Sequence, residues 1–307
     1  MSPIPNLKLN SGSLMPAIGL GISAGTLQEA RDKAHVWIES ALKSGYRHLD
    51  TAWLYQTERA VGEAIRASGI PRSEIFVTTK LAWHHHACVE KAIQDSLTKS
   101  GLDYFDLYLM HFPQAAAYKD NSFETPLDPR GFETILENPT FNEVWADMEK
   151  VLASGRVKAI GVSNFSIKTI QQLLKTANVV PAVNQVELHP YLIQEELVEY
   201  AKEKGIVITA YSPTGKAKIL ADPVILEIAA HHDATTAQVI LAWHVARGVA
   251  AVPKSTNAER QMENLQLAEL RPEDIQRIND LDRNERISNK AGLDGKMLGW
   301  TYEQLGW

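Results

Sequence analysis

Four side chains within the first 111 residues have the makings of an acid–base site: Asp50, Tyr55, Lys80 and His111. A phenol with its ordinary pKa of about 10 exchanges protons poorly at neutral pH. An ammonium beside it favours the phenolate and lowers that value, while a carboxylate keeps the ammonium charged and in place. A histidine facing the same space can hydrogen-bond a substrate oxygen and orient it. Three consecutive histidines, His84, His85 and His86 in "KLAWHHHACVE" (80–90), are more conspicuous. On a helix they fan around the axis, and on a strand only the outer two share a face. Neither arrangement makes a compact metal cage. A solvated loop after Lys80 is the expectation for them.

Such a constellation needs elements that end close together. Short apolar runs alternate with longer amphipathic ones along the chain. Strand-like segments 15–21, 47–52, 74–80, 104–111, 157–164, 182–188, 206–212 and 249–255 are each followed by a helical one. Those helices are expected at 27–45, 57–69, 87–101, 141–155, 167–176, 193–205, 237–248 and 257–267. The strands read as continuous apolar runs, as when both faces of a parallel sheet are buried. Eight units in about 250 residues predict a closed (β/α)8 TIM barrel, with an open doubly wound sheet as the alternative. A β-hairpin turning at 10–13 precedes the barrel, an extra helix at 271–282 follows it, and 283–307 is a tail rich in glycine and aromatic residues. No linker divides the chain, so residues 1–307 are expected to form one domain.

In a barrel of this kind the active site lies at the C-terminal ends of the strands. Strand two ends at Asp50, strand three at Lys80 and strand four at His111, with Tyr55 just past the end of strand two. Strand five ends in Ser163 and Asn164, strand six carries Gln185, strand seven ends in Tyr211 and Ser212, and strand eight in Lys254 and Ser255. Any one of these is readily a polar residue covering a strand end. Four acid–base groups on three consecutive units are not so easily dismissed.

The motifs around these positions are "HLDTAWLYQTERAVGEAI" (48–65), "FDLYLMHFP" (105–113), "GVSNF" (161–165), "NQVELHPY" (184–191), "AYSP" (210–213) and "VPKSTNAERQMEN" (252–264). In this order the chain resembles the aldo-keto reductases over nearly its full length. The resemblance implies NADPH-dependent reduction of an aldehyde or ketone. Tyr55 would be the general acid, Lys80 would tune it, Asp50 would pair with Lys80, and His111 would position the carbonyl. It further implies NADPH/NADP+ across the barrel mouth, with Ser163, Asn164 and Gln185 on the nicotinamide carboxamide and Tyr211 stacked on its ring. Ser212 and Thr256 belong to the same cofactor set. Lys254, Ser255 and Arg260 would hold the adenosine 2′-phosphate, with Asn264 near the adenine. Ammonium, guanidinium and hydroxyl donors suit a phosphate dianion on chemical grounds alone.

The chain departs from the family near the substrate. The relatives' GLGTW is Gly19-Leu20-Gly21-Ile22-Ser23, so Ser23 stands near where an indole often walls the pocket. SPLG is Ser212-Pro213-Thr214-Gly215, and a tryptophan two places after the catalytic lysine is replaced by Ala82, with Trp83 next. The pocket walls are expected from Ser23, Trp53, Trp83, Phe112 and Trp300, with the loop 113–140 and a tail that also carries Tyr302 and Trp307. That tail resembles those of fungal members acting on small aldehydes, glyceraldehyde and sugar acids.

Other signals count for less. "GLGISAG" (19–25) has GxGxxxG spacing rather than GxGxxG and reads as a tight strand-to-helix turn. His48 and Asp50 share a strand face as a metal pair might, but no partner motif accompanies them. His231, His232 and Asp233 read as a solvated helix end. The net charge of −6 argues against nucleic acid as a partner. No run approaches the roughly 18 apolar residues of a membrane span. One cysteine, Cys88, cannot form a disulfide within the chain. A cytoplasmic monomer or weak dimer acting on a small carbonyl substrate is the expectation. A non-catalytic binding subunit that keeps the barrel and cofactor is the competing one.

Overall fold

The computed structural model describes residues 4–119, 126–129 and 131–307. Eight parallel strands follow one another in chain order. They are Leu20–Gly21, His48–Asp50, Phe76–Leu81, Leu107–Met110, Ile160–Ser163, Val183–Glu187, Val207–Tyr211 and Ala250–Ala251. Strand eight returns to strand one through a bridge between Ile18 and Ala251, with Gly19 N donating to Ala251 O at 2.9 Å and Ala251 N to Ala17 O at 2.7 Å. The sheet therefore closes into a (β/α)8 barrel. Apolar residues on both faces of the strands account for this: outward ones pack under the helices, inward ones fill the barrel.

Expected and observed elements differ where local chemistry intervenes. The run 15–21 is not one strand. Leu14–Pro16 pairs antiparallel with Asn6–Lys8, and only Leu20–Gly21 joins the barrel. That hairpin plugs the barrel floor, where Leu9 and Met15 pack with Phe76, Leu107, Leu109 and Val183. The helix expected at 27–45 breaks at Lys33 into Gln28–Asp32 and Ala34–Lys43. Within the loop 113–140, Ala115–Ala116 pairs with Ile135–Leu136, while 120–125 and 130 lie outside the described residues. Two helices were not anticipated, Lys216–Leu220 and Pro223–His231. Asp222 caps the second through Val224 N, ahead of a proline at its first position, a start signal present in the sequence.

Three further readings are corrected. In "GLGISAG" only Gly25, at φ 83°, serves the turn into the helix; Gly19 and Gly21 serve close packing, since a Cβ on Gly19 would lie 2.7 Å from the His48 ring and one on Gly21 2.7 Å from the Val252 carbonyl. His84, His85 and His86 are buried, not solvated, in a 3-10 turn over Trp83–Cys88. His232 Nε2 is 2.8 Å from the buried Asp274 carboxylate, so only His231 and Asp233 are left exposed. Among the described residues no helix is long and apolar enough to cross a membrane.

Candidate active site

The parallel register sets the site. Asp50 lies opposite Thr78 on strand three, and Lys80, two residues on, stands opposite Leu109 on strand four. Side chains two apart share a strand face. His48, two residues below Asp50, faces the barrel interior with it and hydrogen-bonds Thr78 Oγ1 at 3.3 Å and Pro16 O at 3.0 Å. It is thereby committed to packing rather than to a metal. Above it, Lys80 Nζ donates to Asp50 Oδ1 at 2.7 Å and to Thr51 O at 2.8 Å, with both side chains out of solvent. Gln185 Nε2 donates to the second carboxylate oxygen of Asp50 at 2.6 Å.

Tyr55 ends a 3-10 turn, Trp53–Tyr55, closed by Gln56 in the left-handed region at φ 55°. The turn brings the phenol to the pair: Lys80 Nζ lies 4.9 Å from the Tyr55 ring centroid, and the His111 ring meets Tyr55 edge-on at 5.8 Å. Burial works against the Lys80 ammonium, but Asp50 and Tyr55 override it and hold its pKa above the ordinary lysine value. Burial pushes the Tyr55 phenol up, and the opposing Lys80 charge does not reverse this. The expected lowering by the ammonium is thus present as an effect, but it does not set the outcome. Tyr55 keeps its proton. Burial, reinforced by Lys80, pulls His111 well below the usual histidine range, so its imidazole is neutral.

A second network adjoins this one. Ser163 Oγ donates to Gln185 O at 2.7 Å, and Asn164 Nδ2 donates to His111 O at 2.9 Å. Tyr211 OH donates to Asn164 Oδ1 at 2.7 Å. Ser163, Asn164, Gln185 and Tyr211 thus stand together beside Asp50, Tyr55, Lys80 and His111. A groove of about 340 Å³ opens from Asp50 and Tyr55, passes Ser23, Tyr211 and Ser212, and reaches Lys254. Ser255 and Asn264 beyond it are buried, whereas Thr256 and Arg260 are exposed. Ser255 Oγ is engaged with Asn257, which caps the helix Ala258–Glu263. Neither Lys254 nor Arg260 forms an ion pair among the described residues, so both cations remain available to an anion at the groove's far end. An extended dinucleotide with a terminal phosphate fits this donor set. A larger cavity of about 690 Å³ lies at the opposite end of the barrel, under the hairpin. Of its charged lining, Asp106 pairs with Lys158 at 3.3 Å and with the neighbouring Arg72 at 2.8 Å, and Arg47 donates to the main-chain carbonyls of Leu42 and Tyr46.

Among the expected pocket walls, Trp83 lies 5.8 Å from the His111 ring and 5.6 Å from Phe112, so these two stand beside His111. Trp53 turns its Nε1 to Asp95 at 2.5 Å and packs edge-on against His84 and His85. Trp300 packs against the main apolar core. Sequence reasoning missed the tail residues that touch Tyr211 and Ser212. Asn289 Nδ2 donates to Tyr211 OH, and Ser288 Oγ lies 2.9 Å from Ser212 Oγ. It also missed Glu187, although two residues apart on one strand Gln185 and Glu187 must share a face.

The model of the Aldo/keto reductase family matches residues 17–283. A glycerol 2-dehydrogenase (NADP(+)) of Saccharomyces cerevisiae is 43% identical over 288 residues, covering 91% of each chain. Aldo-keto reductase family 1 member A1 of Mus musculus is 39% identical, over 94% of this chain and 93% of that one. Among solved structures, the aldose reductase from Schistosoma japonicum superposes with a TM-score of 0.88 at 34% identity, covering 99% of both chains. The chain belongs to the aldo/keto reductase family.

Proposed function

We propose that this aldo/keto reductase, an NADPH-dependent enzyme that reduces carbonyl groups to alcohols, uses Tyr55 as its proton donor, with Lys80, Asp50 and His111 in support. The observation that carries the assignment is the buried chain of contacts from Gln185 through Asp50 to Lys80, ending 4.9 Å from the Tyr55 ring. NADPH, when bound, supplies the hydride to the carbonyl carbon. Tyr55 gives its hydroxyl proton to the carbonyl oxygen. As charge builds on the phenol, the Lys80 ammonium stabilises it, already oriented and so without reorganisation at the moment of reaction. Asp50 keeps that ammonium charged in a site where burial alone would discharge it. His111, neutral, orients the oxygen by a hydrogen bond and does not compete as the acid. Trp83 and Phe112 wall the carbonyl's side.

Ser163, Asn164, Gln185 and Tyr211 are assigned to the nicotinamide end. Ser212 follows along the groove, and Lys254, Ser255, Thr256, Arg260 and Asn264 take the adenosine end and its 2′-phosphate. The substrate is a small aldehyde, an aldose or a sugar acid, a reading supported by the similarity to a glycerol dehydrogenase and by the tail's likeness to fungal members. The whole span 1–307 works as one barrel unit, as a cytoplasmic monomer or weak dimer. NADPH oxidation should be followed across small aldehydes, ketones, aldoses and uronic acids, with Tyr55→Phe beside the wild type. Tyr55→Phe should lose about a hundred- to ten-thousand-fold in turnover while still binding NADPH. Tight NADPH binding with no turnover on any substrate would instead make the chain a binding subunit.

A further inference from the structure

Glu187 is a fully buried carboxylate on the inward face of strand six, one step above Gln185, and the reaction has no use for it. Its oxygens are spent on the tail. Oε1 accepts from Ile287 N at 2.6 Å and Ser288 N at 2.9 Å, and Oε2 accepts from Asn289 N at 3.3 Å. His189 Nε2 completes the set at 3.1 Å from Oε1. Three successive main-chain amides on one carboxylate fix the path of 287–289. The same stretch is tied to the other wall of the groove. Lys216 Nζ donates to Ile287 O at 3.0 Å, and Lys218 pairs with Glu285 at 2.9 Å.

The consequence is where Asn289 ends up. Its Nδ2 donates to Tyr211 OH and lies 3.4 Å from Asn164 Oδ1, and Tyr211 OH in turn donates to Asn164. A phenol that serves as a stacking platform needs its ring plane fixed. An asparagine that reads a carboxamide needs its oxygen and nitrogen ends fixed. Asn289 contributes to both. We propose that Glu187 and Asn289 are positioning residues for the nicotinamide: Glu187 anchors 287–289, and Asn289 sets the Tyr211 ring and the Asn164 amide. The proposal rests on the assignment of Tyr211 and Asn164 to the nicotinamide end.

A positioning role of this kind affects one end of the cofactor only. The test measures binding of NADPH and of adenosine 2′,5′-bisphosphate, which has the phosphate end and no nicotinamide, to the full chain and two variants. In Glu187→Gln the amide oxygen can keep the Ile287 and Ser288 donors while its N–H faces the Asn289 N–H, so the anchor is loosened at Asn289 itself. Asn289→Ala keeps the anchor and removes only the side-chain contact, and it carries the test should Glu187→Gln fail to fold. Each variant should bind NADPH about tenfold more weakly and the bisphosphate unchanged. Unchanged NADPH binding by Asn289→Ala, or equal losses for both nucleotides, would overturn the proposal. A wild type that bound neither nucleotide would overturn the cofactor assignment, and the proposal with it.

Discussion

Lys80 and the histidines at 84–86 lie on one short stretch of chain and are almost equally removed from solvent, at 0%, 1%, 4% and 1% exposure. Their environments then part. Lys80 meets a carboxylate and a carbonyl at hydrogen-bond distance, and Asp50 itself has a second donor in Gln185. Among the described residues, both ring nitrogens of His84 and His86, and Nδ1 of His85, meet no hydrogen-bond partner. Their neighbours are rings: Trp53, Trp83 and Tyr118 around His84, and Trp53 and Tyr118 around His85. Burial pulls the three histidines down to about 4, 3 and 3, so they are neutral spacers. In Lys80 the partners defeat the same burial and the charge survives. Burial penalises charge in both places, and the partner decides whether a charge is left to do chemistry.

The largest consequence is kinetic. Lys80→Met removes the charge beside Tyr55 and leaves Asp50 buried without its cation. Turnover should fall about a hundred- to ten-thousand-fold, and urea unfolding should show a loss of about 3–5 kcal/mol. His84→Leu should leave turnover near the wild-type value. If the two variants lost turnover alike, the contrast between a working charge and neutral packing would be gone.

The second consequence is a pH dependence of stability. Above about pH 6.5 the histidines are neutral in folded and unfolded chains alike, and they add no pH dependence. Below it the unfolded chain takes up protons that the folded one refuses until about pH 4 or 3. Stability is therefore lost as pH falls through that window, by up to about 1.4 kcal/mol per pH unit for each histidine. His244, also pulled to about 3 by burial, adds to the slope. Around His85 the charged groups act in both directions: Asp95 raises its pKa while Lys99 and Lys91 lower it. Urea midpoints should drop steeply between about pH 6 and about pH 4. A flat profile would mean that the imidazoles find partners.

A smaller effect belongs to the far end of the groove, where Arg260 is exposed and shares none of the enclosure of Lys80. Removing it with Arg260→Ala should weaken NADPH binding by about tenfold and leave NADH binding unchanged. Equal losses for both cofactors would take the 2′-phosphate away from this residue.

Much of the molecule was legible in the sequence because two periodicities and the ends of strands carry most of the information. Asp50, Lys80, His111, Gln185 and Tyr211 come together simply because each ends or lines a strand of one parallel barrel. What could not be read there depends on three-dimensional neighbours. His84 and His85 enter the interior against the rings of Trp53, Trp83 and Tyr118, and no periodicity of three like residues encodes that. Gly19 and Gly21 look like a nucleotide loop in one dimension and are packing gaps against His48 and Val252 in three. Asn289 reaches Tyr211 across 78 positions of chain, a contact set by Glu187 and not by any local pattern.

The finest test of the contrast replaces one neutral imidazole by an apolar group of similar size. His86→Leu gives up no hydrogen bond to the described residues, among which neither ring nitrogen of His86 has a partner. Exchanging an unsatisfied polar group for an apolar one is close to neutral, or stabilising, when shape is kept. Some misfit is unavoidable in replacing a flat ring, and less than about 1.5 kcal/mol of destabilisation is expected at about pH 7. Below about pH 6.5 the sign should turn in the variant's favour, because the unfolded chain has one fewer group to protonate. The urea midpoint of His86→Leu should therefore fall less steeply with acid than that of the wild type, with the two curves converging or crossing. A loss at neutral pH as large as that of Lys80→Met would show that His86, like the lysine, is held by a partner, and would place both residues in the same class.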